Sequence, residues 1–130
     1  MRRLTIWLLL ALAAFCADRD MAGRYTGEWK SNTSGNAGGL HMTLEAGADG
    51  TWKCEAGFTV EGTDIKTATQ ALKVQDSKID VSYDFEVQGA TLRSHMTGDF
   101  ADGIFKGRYE TIIVGGDAVD AGTWNVTRAK

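Results

Sequence analysis

Ile79-Asp80-Val81-Ser82-Tyr83-Asp84-Phe85-Glu86-Val87-Gln88 decides the fold. Apolar and polar residues alternate without a break across these ten positions. Successive side chains of an extended chain point to opposite faces, so Ile79, Val81, Tyr83, Phe85 and Val87 share one dry face. Asp80, Ser82, Asp84, Glu86 and Gln88 share the wet one. A helix would scatter both sets around its axis, and no sustained helical period occurs after residue 16.

The same alternation extends in both directions. Thr51–Glu61 places Trp52, Cys54, Ala56, Phe58 and Val60 on one face. Arg24–Ser31 gathers Tyr25, Gly27, Trp29 and Ser31, and Leu40–Ala46 gathers Leu40, Met42 and Leu44. Asp64–Val74 starts with Ile65 inward and ends with Leu72 and Val74 inward. The change of parity near Ala71 predicts a β-bulge. Leu92–Phe100 turns Leu92, Ser94, Met96, Gly98 and Phe100 inward, and Ile104–Ile113 does so with Phe105, Gly107, Tyr109, Thr111 and Ile113. The last strand, about Ala118 to Arg128, adds Gly122, Trp124, Val126 and Arg128.

Between these eight strands lie short turn-forming links, among them Gly62-Thr63, Asp76-Ser77, Gly89-Ala90 and Asp102-Gly103. Links this short force antiparallel neighbours, because a parallel crossover needs about a dozen residues or more. Only Asn32–Gly39 is longer. The expectation is an all-β domain, an eight-stranded antiparallel up-and-down barrel, since closure buries every dry face and leaves no edge. A two-layer sandwich is the alternative, and usually needs a longer Greek-key connection.

The domain is expected over residues 23–130, preceded by a short segment, 17–22, and by a secretory signal peptide, 1–16. Arg2 and Arg3 followed by an apolar run to Phe15 have the charge order of such a peptide, read as its helix. The run is shorter than the roughly 20 residues of a membrane span. Export to the periplasm or the extracellular space follows. Lipid anchoring through Cys16 is the lesser alternative, because Phe15 stands where a lipidation motif wants a small residue. Loss of residues 1–16 takes the 14 basic residues to 12 against 17 acidic ones, and the net charge from −3 to −5. An acidic domain without a basic block is a poor partner for nucleic acid or for an anionic membrane surface. Cys54 on a dry face reads as a buried, inert thiol.

Gly27-Glu28-Trp29 in the first strand, followed by seven meander strands, resembles the calycin superfamily of lipocalins, fatty-acid-binding proteins and avidins. The resemblance implies a barrel closed at one end by the first-strand tryptophan, Trp29, under a basic side chain of the last strand, Arg128. The closing run Gly122-Thr123-Trp124-Asn125-Val126-Thr127-Arg128 is similar to that of small exported bacterial proteins of undefined function. Avidins surround biotin with several tryptophans, whereas only Trp29, Trp52 and Trp124 follow residue 16 here. Haem-binding barrels need an inward histidine, and His41 and His95 fall on outward positions.

No catalytic motif stands out. There is no Gly-x-Ser-x-Gly elbow and no glycine-rich phosphate loop. The two histidines lack metal-ligand spacing, and the alternation predicts no inward carboxylate or histidine. The chain therefore reads as a non-enzyme without cofactor or metal. Eight-stranded barrels are either filled or hold one small guest. Tyr25, Trp52, Tyr83, Ser94 and Tyr109 are the candidate contacts for a small, mostly apolar ligand, with Trp29 and Arg128 as structural closure. The alternative is a solid-core surface or periplasmic protein that meets an unidentified partner through loop 32–39.

Overall fold

A computed structural model describes residues 21–129. The signal-peptide segment, its helix and Cys16 lie outside the described residues. Among the described residues nine antiparallel strands follow one another: β1 (Gly23–Ser31), β2 (Ala37–Ala46), β3 (Trp52–Val60), β4 (Thr63–Lys66), β5 (Ala68–Gln75), β6 (Lys78–Val87), β7 (Ala90–Ala101), β8 (Ile104–Ile113) and β9 (Ala118–Arg128). They form one sheet in the order β4-β3-β2-β1-β9-β8-β7-β6-β5. The first and last strands pair along their length, from Tyr25↔Arg128 to Ser31↔Gly122, and this pairing curls the sheet into a half-barrel. Among the described residues no helix is long and apolar enough to cross a membrane.

The count is nine strands rather than eight because the expected strand Asp64–Val74 divides at Thr67. Its first part follows β3, from Val60↔Thr63 to Gly57↔Lys66. Its second part follows β6 from Ala68↔Asp84 onward. The chain thus changes neighbours, and threonine hydroxyls replace the missing ladder. Thr67 Oγ1 donates to the Ala56 carbonyl and Thr69 Oγ1 to the Cys54 carbonyl, each at 2.6 Å. The register shift between Thr69 and Ala71 is the bulge that the parity change announces.

Tight turns set the register. Four two-residue links, Glu61-Gly62, Asp76-Ser77, Gln88-Gly89 and Asp102-Gly103, have both residues at positive φ. That is the primed hairpin turn whose twist suits paired strands. The longer loop is shorter than expected, because Ala37–Gly39 already belong to β2 and pair with Lys30, Trp29 and Glu28.

The inward faces make one core, and its two ends differ. At the end holding the 47–51, 76–77 and 102–103 turns, the interior is filled. Met21, Tyr25 and Phe105 are essentially inaccessible there. Met21 precedes the expected domain boundary at residue 23, yet its side chain is core and its carbonyl accepts the Tyr25 hydroxyl at 2.6 Å. In mid-barrel, Gly98, Gly107 and Trp124 stand opposite one another on β7, β8 and β9. The indole lies over the glycine pair and donates Nε1 to the carbonyls of Thr97 at 3.2 Å and Arg108 at 3.1 Å. A Cβ on Gly98 would come within 2.6 Å of Trp124 Cζ2. The small residues in this half therefore make room for a tryptophan rather than for a guest.

The closure expected between Trp29 and Arg128 is replaced by another. Register puts Arg128 opposite Tyr25 and Trp29 opposite Trp124, four residues further along β1. The Arg128 guanidinium lies 5.7 Å from the Tyr25 ring centre and 5.3 Å from that of Phe100. Cation–π attraction thus seals the filled end, with a tyrosine and a phenylalanine in place of the tryptophan.

Candidate functional site

Above the Trp124 layer the barrel is hollow. A cavity of about 260 Å³ opens at the end that carries loop 32–36 and the 61–62, 88–89 and 114–117 turns. Inward positions of seven strands line it. β1 contributes Trp29, β2 Leu40, β3 Phe58 and Val60, and β6 Tyr83, Phe85 and Val87. β7 adds Leu92, Ser94 and Met96, β8 Tyr109 and Thr111, and β9 Val119 and Asp120. Ser34 and Asn36 of the loop form part of the rim. The walls are thus largely apolar, with a few convergent polar groups, the usual character of a small-molecule site.

Three of the five expected contacts, Tyr83, Ser94 and Tyr109, meet in this cavity. The other two do not. Tyr25 is packed in the filled end against Phe105, ring centres 5.0 Å apart. Trp52 lies at the start of β3, opposite Ala46 beside the 47–51 turn. Both have the inward parity, but parity says nothing of height along the barrel, and height separates them from the opening. Trp29, expected as closure, lines the cavity instead. Its Nε1 donates to the Thr59 carbonyl at 2.9 Å, which holds the ring in place.

The polar groups form two sets. On the floor, Ser94 and Thr111 share a hydroxyl hydrogen bond of 2.5 Å, and both are buried. The Tyr83 hydroxyl lies 3.3 Å from Met96 Sδ. Burial pushes the Tyr83 phenol well above its ordinary range, and its hydrogen bond to Ser94 opposes this only in part. On the wall, Asp120 accepts from two hydroxyls, Ser31 Oγ at 2.5 Å and Tyr109 Oη at 2.9 Å. Burial raises the Tyr109 phenol first, and the Asp120 carboxylate raises it further.

Asp120 overturns the expectation of no inward carboxylate. It has the same parity as Gly122, Trp124 and Val126, so the period of two already placed it inside. What hid it was its position beside the Gly115-Gly116-Asp117 turn, where strand ends usually splay into water. A register shift between Thr111 and Ile112 lies opposite, with Thr111↔Asp120 still paired, and both Val119 and Asp120 reach the cavity.

Ser31 links this wall to the rim. Its hydroxyl donates to Asp120 and accepts the backbone N–H groups of Thr33 at 3.1 Å and Ser34 at 3.0 Å. Asn32 N–H donates to the Ala121 carbonyl at 2.8 Å, so the loop is tied to β9 as well.

No protein-family model, curated protein or solved structure matches the chain. The site therefore has to be read from its own chemistry. Cys54 is buried, and burial pushes its thiol up to about 12, which leaves negligible thiolate near neutrality. The Asp84–Arg93 ion pair and the Asp80–His95 hydrogen bond join outward strand faces, away from the cavity lining. Among the described residues, no group of three or more His, Cys, Asp or Glu side chains converges as a metal site would require.

Proposed function

We propose that this is an exported, calycin-like binding protein that holds one small, mostly apolar molecule in the open half of the barrel and performs no chemistry on it. The observation carrying this reading is the two-ended interior. One end is sealed by Met21, Tyr25, Phe100 and Arg128, while the other holds an open cavity walled by Trp29, Phe58 and Phe85. A volume of about 260 Å³ is just below the roughly 300–1,000 Å³ of drug-sized sites, so the guest is small. Counting β4 and β5 as one interrupted strand, bridged to β3 by Thr67 and Thr69, gives eight strands, the number in a calycin barrel, which supports the likeness. Arg2, Arg3 and the apolar run to Phe15 support export, with lipid attachment at Cys16 as the lesser route.

The uncharged fluorescent probe N-phenyl-1-naphthylamine tests the reading. Its emission should rise and saturate on titration with the protein. The Ser94→Trp chain, which fills the floor, should lose that rise while keeping its β circular dichroism. Absence of saturable binding by the wild-type chain counts against a binding function.

A second reading has one observation in its favour. Ile113, Val114 and Val119 are exposed by 40%, 43% and 44%, and all three flank the β8–β9 turn at the rim. Clustered apolar exposure is a mark of contact surfaces. The rim, with loop 32–39, would then meet a protein partner. Partner capture that is lost in Val114→Asp while probe binding survives would favour this second role.

A further inference from the structure

We infer that the ligand of this cavity is cationic at one end: an apolar amine or alkylammonium whose nitrogen rests against Asp120, inside the ring set of Trp29, Phe58 and Tyr109. The inference rests on the binding reading and names its ligand class.

Charge is the first reason. Among the described residues that line the cavity, Asp120 is the one carboxylate and none is Lys, Arg or His. The two groups hydrogen-bonded to Asp120, Ser31 Oγ and Tyr109 Oη, are neutral hydroxyls. They orient the carboxylate without cancelling its charge. A carboxylate has about four acceptor directions, and these two bonds use two. An apolar pocket carrying one negative group repels anionic guests and favours a guest that brings the opposite charge.

The rings are the second reason. Trp29 stands at 87° to Phe58 and at 90° to Tyr109, with ring centres 6.4 Å apart in both pairs. Three rings that line the cavity thus meet at one corner of it, and the faces of aromatic rings attract alkylated ammonium groups. Tyr109 belongs to both features, since its ring forms the corner and its hydroxyl touches the carboxylate. The ammonium attractions and the apolar walls are therefore contiguous. The Trp29 indole is fixed by its bond to Thr59, so the corner is built before a ligand arrives.

Three probes with one ring and one chain length separate the possibilities: 4-phenylbutylamine, 4-phenylbutan-1-ol and 4-phenylbutanoate, titrated calorimetrically into the full chain at pH 7. The amine should bind roughly tenfold or more tightly than the alcohol, and the acid more weakly than either. In Asp120→Asn, which keeps an acceptor for a neighbouring hydroxyl, the amine should fall to the affinity of the alcohol. Equal binding of amine and alcohol by the wild-type chain overturns the cationic assignment and leaves the apolar binding site standing. Failure of all three, with N-phenyl-1-naphthylamine still bound, also overturns it alone. Failure of all four overturns both. The wild-type comparison needs no variant, so the outcome does not depend on Asp120→Asn folding.

Discussion

Tyr109 donates its hydroxyl to the Asp120 carboxylate across 2.9 Å, joining β8 to β9 from the inside of the barrel. The bond is unusual among the cavity's contacts because it involves a charge. Ser31 completes it from β1, so three adjacent strands converge on one carboxylate at the height of the opening. A hydrogen bond to a charged acceptor in a half-buried wall is worth more than one between neutral groups.

Removing that donor should therefore be measurable. Tyr109→Phe keeps the ring and its packing against Trp29 but leaves an Asp120 oxygen unsatisfied. Chemical denaturation should show a loss of about 1.5–3 kcal/mol. A change below about 0.5 kcal/mol would mean that water replaces the phenol without penalty.

The three tyrosines of the chain are all inward and all have raised phenol pKa values, with burial the first cause in each. Unfolded tyrosines titrate near 10.0. A folded-state value above the unfolded one means that the unfolded chain loses protons first as pH rises. The stability from these groups is thus complete below about pH 10 and falls as pH climbs toward the folded values. Tyrosinate absorbance at 295 nm should stay low through pH 10 and then appear together with loss of β circular dichroism. A tyrosinate signal already about half developed at pH 10 in a still folded chain would contradict the burial.

Gly98 lies beneath the Trp124 indole, which fills the middle of the barrel. Gly98→Ala forces the ring off its two carbonyl acceptors or opens the β7–β8 pair. Thermal unfolding should show destabilisation of about 1–3 kcal/mol. At exposed Gly35 a Cβ would meet nothing within 4 Å, so the same change there carries only the backbone strain of its φ of +79° and no cost of displaced neighbours.

The β5–β6 turn is made of Asp76 and Ser77, at φ 56° and 59°, without a glycine. Left-handed backbone is costly for residues that carry a Cβ. Ser77→Gly relieves that cost and loses part of the gain to the greater freedom of the unfolded chain. A net stabilisation of about 0.5 kcal/mol is expected, read as a higher denaturant midpoint at unchanged slope. A lower midpoint would show that the serine contributes more than its strain costs.

Much of the site was written in the alternation along the strands. Ser94 and Tyr109 are inward because β7 and β8 put every second residue inside, and both line the cavity. Asp120 obeys the same rule but lies beside a glycine-rich turn. Tyr25 and Trp52 also obey it, yet they sit toward the far end, where Met21 and Phe105 leave no opening. Alternation specifies a face and carries no information on which level of the barrel is occupied.

Sequence by itself determined the all-β class, the dry and wet faces, the hairpin positions and the bulge near Ala71, because each depends on neighbours a few residues apart. The division at Thr67, the seat of Arg128 on Tyr25 and Phe100, and the emptiness above Trp124 were decided by tertiary structure alone. Each depends on the register of strands far apart in sequence, and above all on β1 meeting β9. That pairing sets which side chains share a level, so it decides where an indole fills the space over two glycines and where nothing does.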